Sequence, residues 1–308
     1  MTPQLFGILL TAALLGTSTV SVPIASSSIQ ETIFVDHLPD PLEVTQFSLL
    51  PGVRNYLLQA RNAWVDDLER VLLIKGAQRI QIESDHFPAE DTASAWKRLA
   101  DQGVEFVGLR AGMPVEQEIR QLNAIRFQKL TLVLSRFPTV DEAKRLKALQ
   151  GDWSITFATA SFPKFEDKAG LEALPAGSPL FFVTDYWPAY THMDLLNLLP
   201  QNKAIRVAAN FFPTAEGASY LNNIKKLNSL AIQTDLEPQP TEWAPFKNLP
   251  LTWICKNFIP SDSALQAFID TGGTQFRKIV LDTDRQLTSS ERDRINRAPV
   301  RVDWIHLP

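Results

Sequence analysis

The sequence predicts an α/β protein built from about twelve units of roughly 25 residues, each a strand, a turn and a short helix. Three observations carry this. A proline recurs at Pro39, Pro88, Pro114, Pro138, Pro163, Pro188, Pro213, Pro238, Pro260 and Pro308, with steps of 22 to 25 residues between Pro114 and Pro260. An apolar run rich in β-branched residues precedes each proline. An apolar spacing of three residues follows it. Two longer steps hide further units, with Ala63 and Leu287 standing where a proline is missing.

One unit shows the logic. Leu130-Thr-Leu-Val-Leu alternates as a strand, and Pro138 ends it by removing a backbone donor. Val140, Ala143, Leu146 and Leu149 then share one face of a short helix, which Gly151 stops. In chain order, further strands are expected at Thr32–Val35, Ile80–Ile82, Val104–Val107, Ser154–Phe157, Leu180–Val183 and Ile205–Val207. They continue at Leu230–Ile232, Leu251–Ile254, Ile279–Leu281 and Val302–Trp304. Helices are expected over Thr92–Leu99, Gln117–Ile125, Met193–Leu199, Ala218–Leu227 and Ala264–Ile269. After Pro238, the extra Pro240 and Pro245 predict an irregular arm.

Strands joined by helical crossovers pair in parallel, and a lone unit cannot bury both its apolar faces, so the units must stack. The arrangement expected is an open, curved solenoid with helices outside. The alternative is a closed (β/α) barrel, which in its usual eight-stranded form takes about 31 residues per unit. The segment Lys129-Leu-Thr-Leu-Val-Leu-Ser-Arg-Phe-Pro-Thr-Val-Asp-Glu-Ala-Lys-Arg-Leu-Lys-Ala-Leu resembles a unit of leucine-rich-repeat proteins of the ribonuclease-inhibitor type, and Phe276 to Glu291 is similar. That resemblance implies a horseshoe whose concave sheet face binds other proteins.

Composition narrows the function. Apolar residues at 45% and charged residues at 21% exclude wholesale disorder, and a net charge of −4 with no basic stripe argues against nucleic acid. Residues 1–30 carry no charged side chain, and Leu5–Leu15 is apolar with small residues after it. This predicts a signal peptide over residues 1–25 ahead of a single domain over 26–308. The protein is therefore expected to be exported, to the periplasm, the cell surface or the medium. Membrane contact is expected only through that segment, should it stay uncleaved. Cys255 is the lone cysteine, which rules out an internal disulfide and a cysteine-rich zinc site.

Candidate site residues follow from the repeat. Three positions before eight of the twelve prolines or substitutes stand Asp36, Asp85, Ser135, Asp185, Asn210, Asp235, Asn257 and Asp284, at the carboxyl edge of the sheet where α/β proteins bind ligands. The alternative reading makes them turn and capping residues. Aromatic and basic residues add Tyr186, Trp187, Arg206 and Trp253, with Phe181, Trp253 and Arg206 expected on the concave face. The binding set is thus Asp185, Tyr186, Trp187, Arg206, Asn210, Asp235, Trp253 and Asp284, for a protein or polysaccharide ligand. A hydrolase is the second reading, with Asp36, His37, Asp85, His86 and Asp185 as acid–base candidates. The sequence calls for no cofactor or metal.

Overall fold

The proline that closes each strand also sets the start of the next helix. In the computed structural model of the chain, the residue after it is the N-cap in most units, Pro88 being an exception with its N-cap at Thr92. In seven units an acid three residues further on turns back to bind the N-cap backbone N–H. Glu43, Asp67, Glu118, Glu142, Asp167, Glu242 and Glu291 all do this, at 2.6 to 3.3 Å. His192 takes the same place through Nδ1, 3.1 Å from Ala189 N. The structure describes residues 29–306, apart from 51–53, 62, 111, 160, 209–210, 247–248 and 272–276. The expected signal peptide over residues 1–25 lies outside these.

Among the described residues the chain forms twelve strands and eleven α-helices. They fall into two compact units, one formed by Thr32–Phe157 with Ala169–Ser178, the other by Ala158–Lys168 with Pro179 onward and a short lead up to Glu31. The first is called the N-terminal unit and the second the C-terminal unit.

Strands β1 (Gln30–Val35), β2 (Arg54–Ala60), β3 (Ala77–Ser84), β4 (Glu105–Arg110), β5 (Leu130–Leu134) and β6 (Trp153–Ala158) come first. They alternate with helices α1 (Pro41–Leu49), α2 (Val65–Val71), α3 (Ala93–Asp101), α4 (Glu116–Ile125), α5 (Val140–Arg145) and α6 (Lys168–Glu172). From β1 to β6 each strand pairs in parallel with the next. Leu58, Ile82, Phe106, Leu132 and Ile155 are fully buried on the helix-facing side. Phe106, Trp96 and Phe127 pack there ring to ring, with centroids 5.0 to 5.9 Å apart. Gly170 on α6 sits against the turn after β5, where a Cβ would stand 1.9 Å from Pro138 O.

The C-terminal unit holds β7 (Leu180–Thr184), β8 (Lys203–Ala208), β9 (Leu227–Thr234), β10 (Leu251–Lys256), β11 (Arg277–Asp282) and β12 (Arg301–His306). Its helices are α7 (Tyr190–Leu198), α8 (Ala215–Asn222), α9 (Pro240–Trp243), α10 (Asp262–Asp270) and α11 (Ser289–Arg297). These strands also pair in parallel in chain order. The expected irregular arm after Pro238 is one α-helical turn with Pro240 at its start, followed by a 3-10 turn over Ala244–Phe246. The helix expected to reach Leu227 ends at Asn222 instead. Lys226 takes the left-handed φ of 57°, and Leu227 already belongs to β9.

The strands follow one another in a single parallel sheet in the order β1-β12-β11-β10-β9-β8-β7-β6-β5-β4-β3-β2, closed into a barrel. This corrects the open solenoid and the leucine-rich-repeat resemblance, because a horseshoe leaves its first and last strands unpaired. The closed (β/α) barrel alternative holds, with twelve strands rather than eight. Closure depends on how neighbouring strands are staggered, and repeat length carries no record of that stagger.

Candidate functional site

Strand alternation gives the C-terminal unit two chemically distinct faces. One face packs on the helices. Trp253 is fully buried there, with ring centroids 5.2 Å from Trp243 and 5.6 Å from Phe268, and its indole N–H donates to Thr234 Oγ1 at 3.0 Å. Trp304 lies on the same side under the Arg292 guanidinium, 4.6 Å away. The expectation that Trp253 faces a ligand is therefore wrong. The register pairs Arg206 with Ala231 and Ala231 with Thr252, so Thr252 shares the face of Arg206 and Trp253 points the other way. Trp253 stands seven residues before its proline as Arg206 does, but one extra residue lies between β10 and Pro260, where Asn257 takes a left-handed φ of 63°. A slip of one residue reverses every side chain of a strand. Phe181, in register with Ala204, does lie on the Arg206 face as expected.

That inner face carries the charged constellation. Arg206 on β8 is 1% exposed, and its guanidinium donates to Gln233 Oε1 on β9. Lys256 on β10 and Asp282 on β11 are in register at the carboxyl ends of their strands. Burial lowers the Arg206 guanidinium to about 10, while the negative charges of Asp282 and then Asp185 oppose that shift. Burial raises the carboxyl of Asp282. Arg206 and Lys256 oppose this, and the neighbouring charge of Asp284 adds to it. Two cations, three carboxylates and a primary amide thus act on one another across β7 to β11. Further down the same face Asp303 is satisfied structurally. It accepts from Lys278 Nζ at 2.7 Å and Arg301 Nε at 3.0 Å, and these cations outweigh burial and hold its carboxyl below the usual range.

The aromatic residues at these strand ends are partly tied down. Tyr186 OH accepts from Phe162 N at 3.0 Å, and Trp187 Nε1 donates to Phe211 O at 2.8 Å. Trp187 is half-buried against Phe246, with centroids 5.9 Å apart. Phe211 is 63% exposed, and Tyr190 and Tyr220 form an exposed pair with centroids 4.1 Å apart. Asp185 and Asp284 are exposed beside the constellation. Asp235 is exposed on the turn after β9, and Asn210 lies outside the described residues.

The hydroxyl residue before Asp85, Asp185 and Asp284 makes a turn hydrogen bond. Ser84 Oγ accepts from His86 N at 3.2 Å, Thr283 Oγ1 accepts from Arg285 N at 3.3 Å, and Thr184 Oγ1 donates to Tyr186 O at 2.8 Å. The aspartate carboxylates of the ladder stay exposed to solvent.

The histidine candidates of the N-terminal unit resolve into local structure. His37 bridges Asp36 at 2.9 Å and the capping residue Glu43 at 2.9 Å, and hydrogen bonds to those two carboxylates raise its pKa. Arg136 and Arg285 occupy the same position two residues before the proline, or before Leu287, and reach Glu142 at 2.8 Å and Glu291 at 2.9 Å. The His86 ring pairs with its exposed neighbour Asp85, at 2.7 Å. The third histidine, His306, is buried on the helix side and bonds Glu31 at 2.8 Å. Cys255 is fully buried, and burial pushes its thiol pKa up, which makes it a core residue.

Comparison with known proteins finds no family model and no curated protein that matches the sequence.

Gln233, Lys256 and Asp282, and in the N-terminal unit Gln59 and Glu83, went unnoticed in the sequence. Their signal is a polar residue alternating with the most buried apolar ones, as in Gln81-Ile82-Glu83 and Ile232-Gln233-Thr234. Among the described residues no group of three or more His, Cys, Asp or Glu side chains is placed to hold a metal ion. No described helix is long and apolar enough to cross a membrane.

Proposed function

We propose that the protein is a binding protein for a saccharide, held at the carboxyl ends of β7 to β11 in the C-terminal unit. The observation that carries this is the buried Arg206, aligned by Gln233 beside the half-buried Asp282. Fixed donors and acceptors of both kinds, with nearly balanced charge, suit a ligand whose hydroxyls both donate and accept. Aromatic side chains at the same strand ends offer faces on which sugar rings stack. The proposed setting is outside the cytoplasm, on the strength of the uncharged N-terminal sequence with its apolar run.

Calorimetry against a panel of oligosaccharides tests the proposal, with Arg206→Met as the variant. Losing one charge-assisted hydrogen bond weakens binding by about 10- to 100-fold. Unchanged affinity in Arg206→Met, or capture of protein ligands alone, sinks the reading. One observation favours hydrolysis as a second reading: burial raises the carboxyl of Asp282, while a second carboxylate, Asp185, acts on the same Arg206 from another strand end. Turnover of glycosides that disappears in Asp282→Asn would establish it. Binding without turnover leaves the first.

A further inference from the structure

The inner face of the N-terminal unit carries a second, unexplained set of polar groups. One row across it runs Gln59, Glu83, Val107, Thr131 and Ser154, each in register with the next. Gln59 is 3% exposed, Glu83 1%, and Gln81, two residues back along β3, 3%. Both carboxyl oxygens of Glu83, both amide atoms of Gln59 and the amide nitrogen of Gln81 are buried with no hydrogen-bond partner of sound geometry. Buried polar groups are otherwise almost always paired.

Elsewhere in the same unit several such groups are paired, although Thr156 Oγ1 on β6 and Arg145 Nε are also left open. Thr131 and Ser154 bond each other at 3.2 Å, and Arg79 bonds both Glu105 and, at 3.1 Å, the carbonyl oxygen of Gln81. Most of the open atoms of this unit, those of Asn55, Gln59, Gln81 and Glu83, lie on the two adjacent strands β2 and β3.

We infer that Gln59, Gln81 and Glu83 on the inner face of β2 and β3 form a second binding site, for a small uncharged polyol. The choice of ligand follows from the open atoms. Two amide nitrogens donate, while the Gln59 carbonyl and the Glu83 carboxyl accept. An ammonium ion only donates and would leave the amide donors open, whereas an anion would meet the carboxyl. Hydroxyl groups do both.

The charged groups nearby are already engaged or lie off the row. On β3, Arg79 holds Glu105 of β4, and Asp85 is exposed and holds His86. Beyond the end of β2, Arg61 is exposed. Burial pushes the Glu83 carboxyl up to about 8, with the Gln59 amide opposing weakly, so at neutral pH the group is mostly protonated and both donates and accepts. The site involves none of the residues of the saccharide constellation and stands or falls separately from it.

Titration of the full chain with xylitol and myo-inositol tests the site, with ethanolammonium as the cationic probe. Polyol binding is expected to persist within about threefold in Glu83→Gln, since an amide mimics a protonated carboxyl. It is expected to fall at least about tenfold in Gln59→Leu and Glu83→Leu, and to be unaffected in Arg206→Met. Should Glu83→Leu fail to fold, Gln59→Leu and Glu83→Gln decide the question. Three results overturn the inference: no polyol binding, ethanolammonium binding that Glu83→Gln abolishes, or polyol binding that Arg206→Met removes while Gln59→Leu does not.

Discussion

Replacing Glu83 with Gln should flatten the alkaline side of the stability profile. The folded carboxyl ionises at about 8 against a reference of 4.5, so the folded chain holds a proton that the unfolded chain releases. The stability this group permits is fully present below pH 4.5 and is lost as pH rises, until the loss is complete above about pH 8. At 1.36 kcal/mol per pKa unit, the loss is about 3 kcal/mol at pH 7 and about 5 kcal/mol at pH 9. Glu83→Gln has no such loss, so its advantage over the natural chain should widen by about 1.4 kcal/mol between those two pH values. Lys203, lowered to about 8 by burial, titrates in the same window with the opposite sign but is common to both chains, so it cancels in the difference. Urea denaturation at pH 7 and pH 9 measures it. Parallel profiles for the two chains would refute the burial of an unpaired carboxyl on the inner face.

Four further outcomes follow from the packing and the caps. Thr288→Ala removes the side-chain acceptor for Glu291 N and should cost about 1 kcal/mol in urea denaturation, with saccharide binding unchanged. Gly170→Ala forces a Cβ onto Pro138 O and should cost about 3 kcal/mol or more, visible as a drop in Tm. Trp253→Ala should cost about 3–5 kcal/mol and leave ligand affinity unchanged once folded, as expected of a core side chain. Glu142 and Glu291 are held at about 2, chiefly by hydrogen bonds from Arg136 and Arg285. The stability they contribute is present above pH 4.5 and lost as pH falls through about 2, so the double change Glu142→Gln, Glu291→Gln should reduce the acid dependence of Tm.

Much of the fold lies open in the sequence because its signals are local. Proline ends a strand by chemistry that needs no distant partner, and Leu130–Leu134 and Leu251–Ile254 alternate visibly. The acid four residues after the proline or its substitute in seven units, from Glu43 to Glu291, is a capping signature that marks those helix starts. Closure of the sheet is less legible, because it depends on stagger between strands. Side-chain direction failed at Trp253, where one extra residue before Pro260, at the left-handed Asn257, shifted the phase that Arg206 kept. Part of the site was visible as charge at strand ends, in Asp185, Arg206 and Asp284. Gln233, Asp282 and Glu83 were not, because a polar residue inside an apolar run gains meaning only once its neighbours across the sheet are known.

The most direct test follows the tryptophan indole and arginine guanidinium signals by NMR during titration with a bound oligosaccharide. The signals of Trp187 and Arg206 should move, and those of Trp243 and Trp253 should stay in place. Movement of Trp253 with Arg206 unchanged would contradict the assignment of the inner face of β7 to β11 as the ligand site.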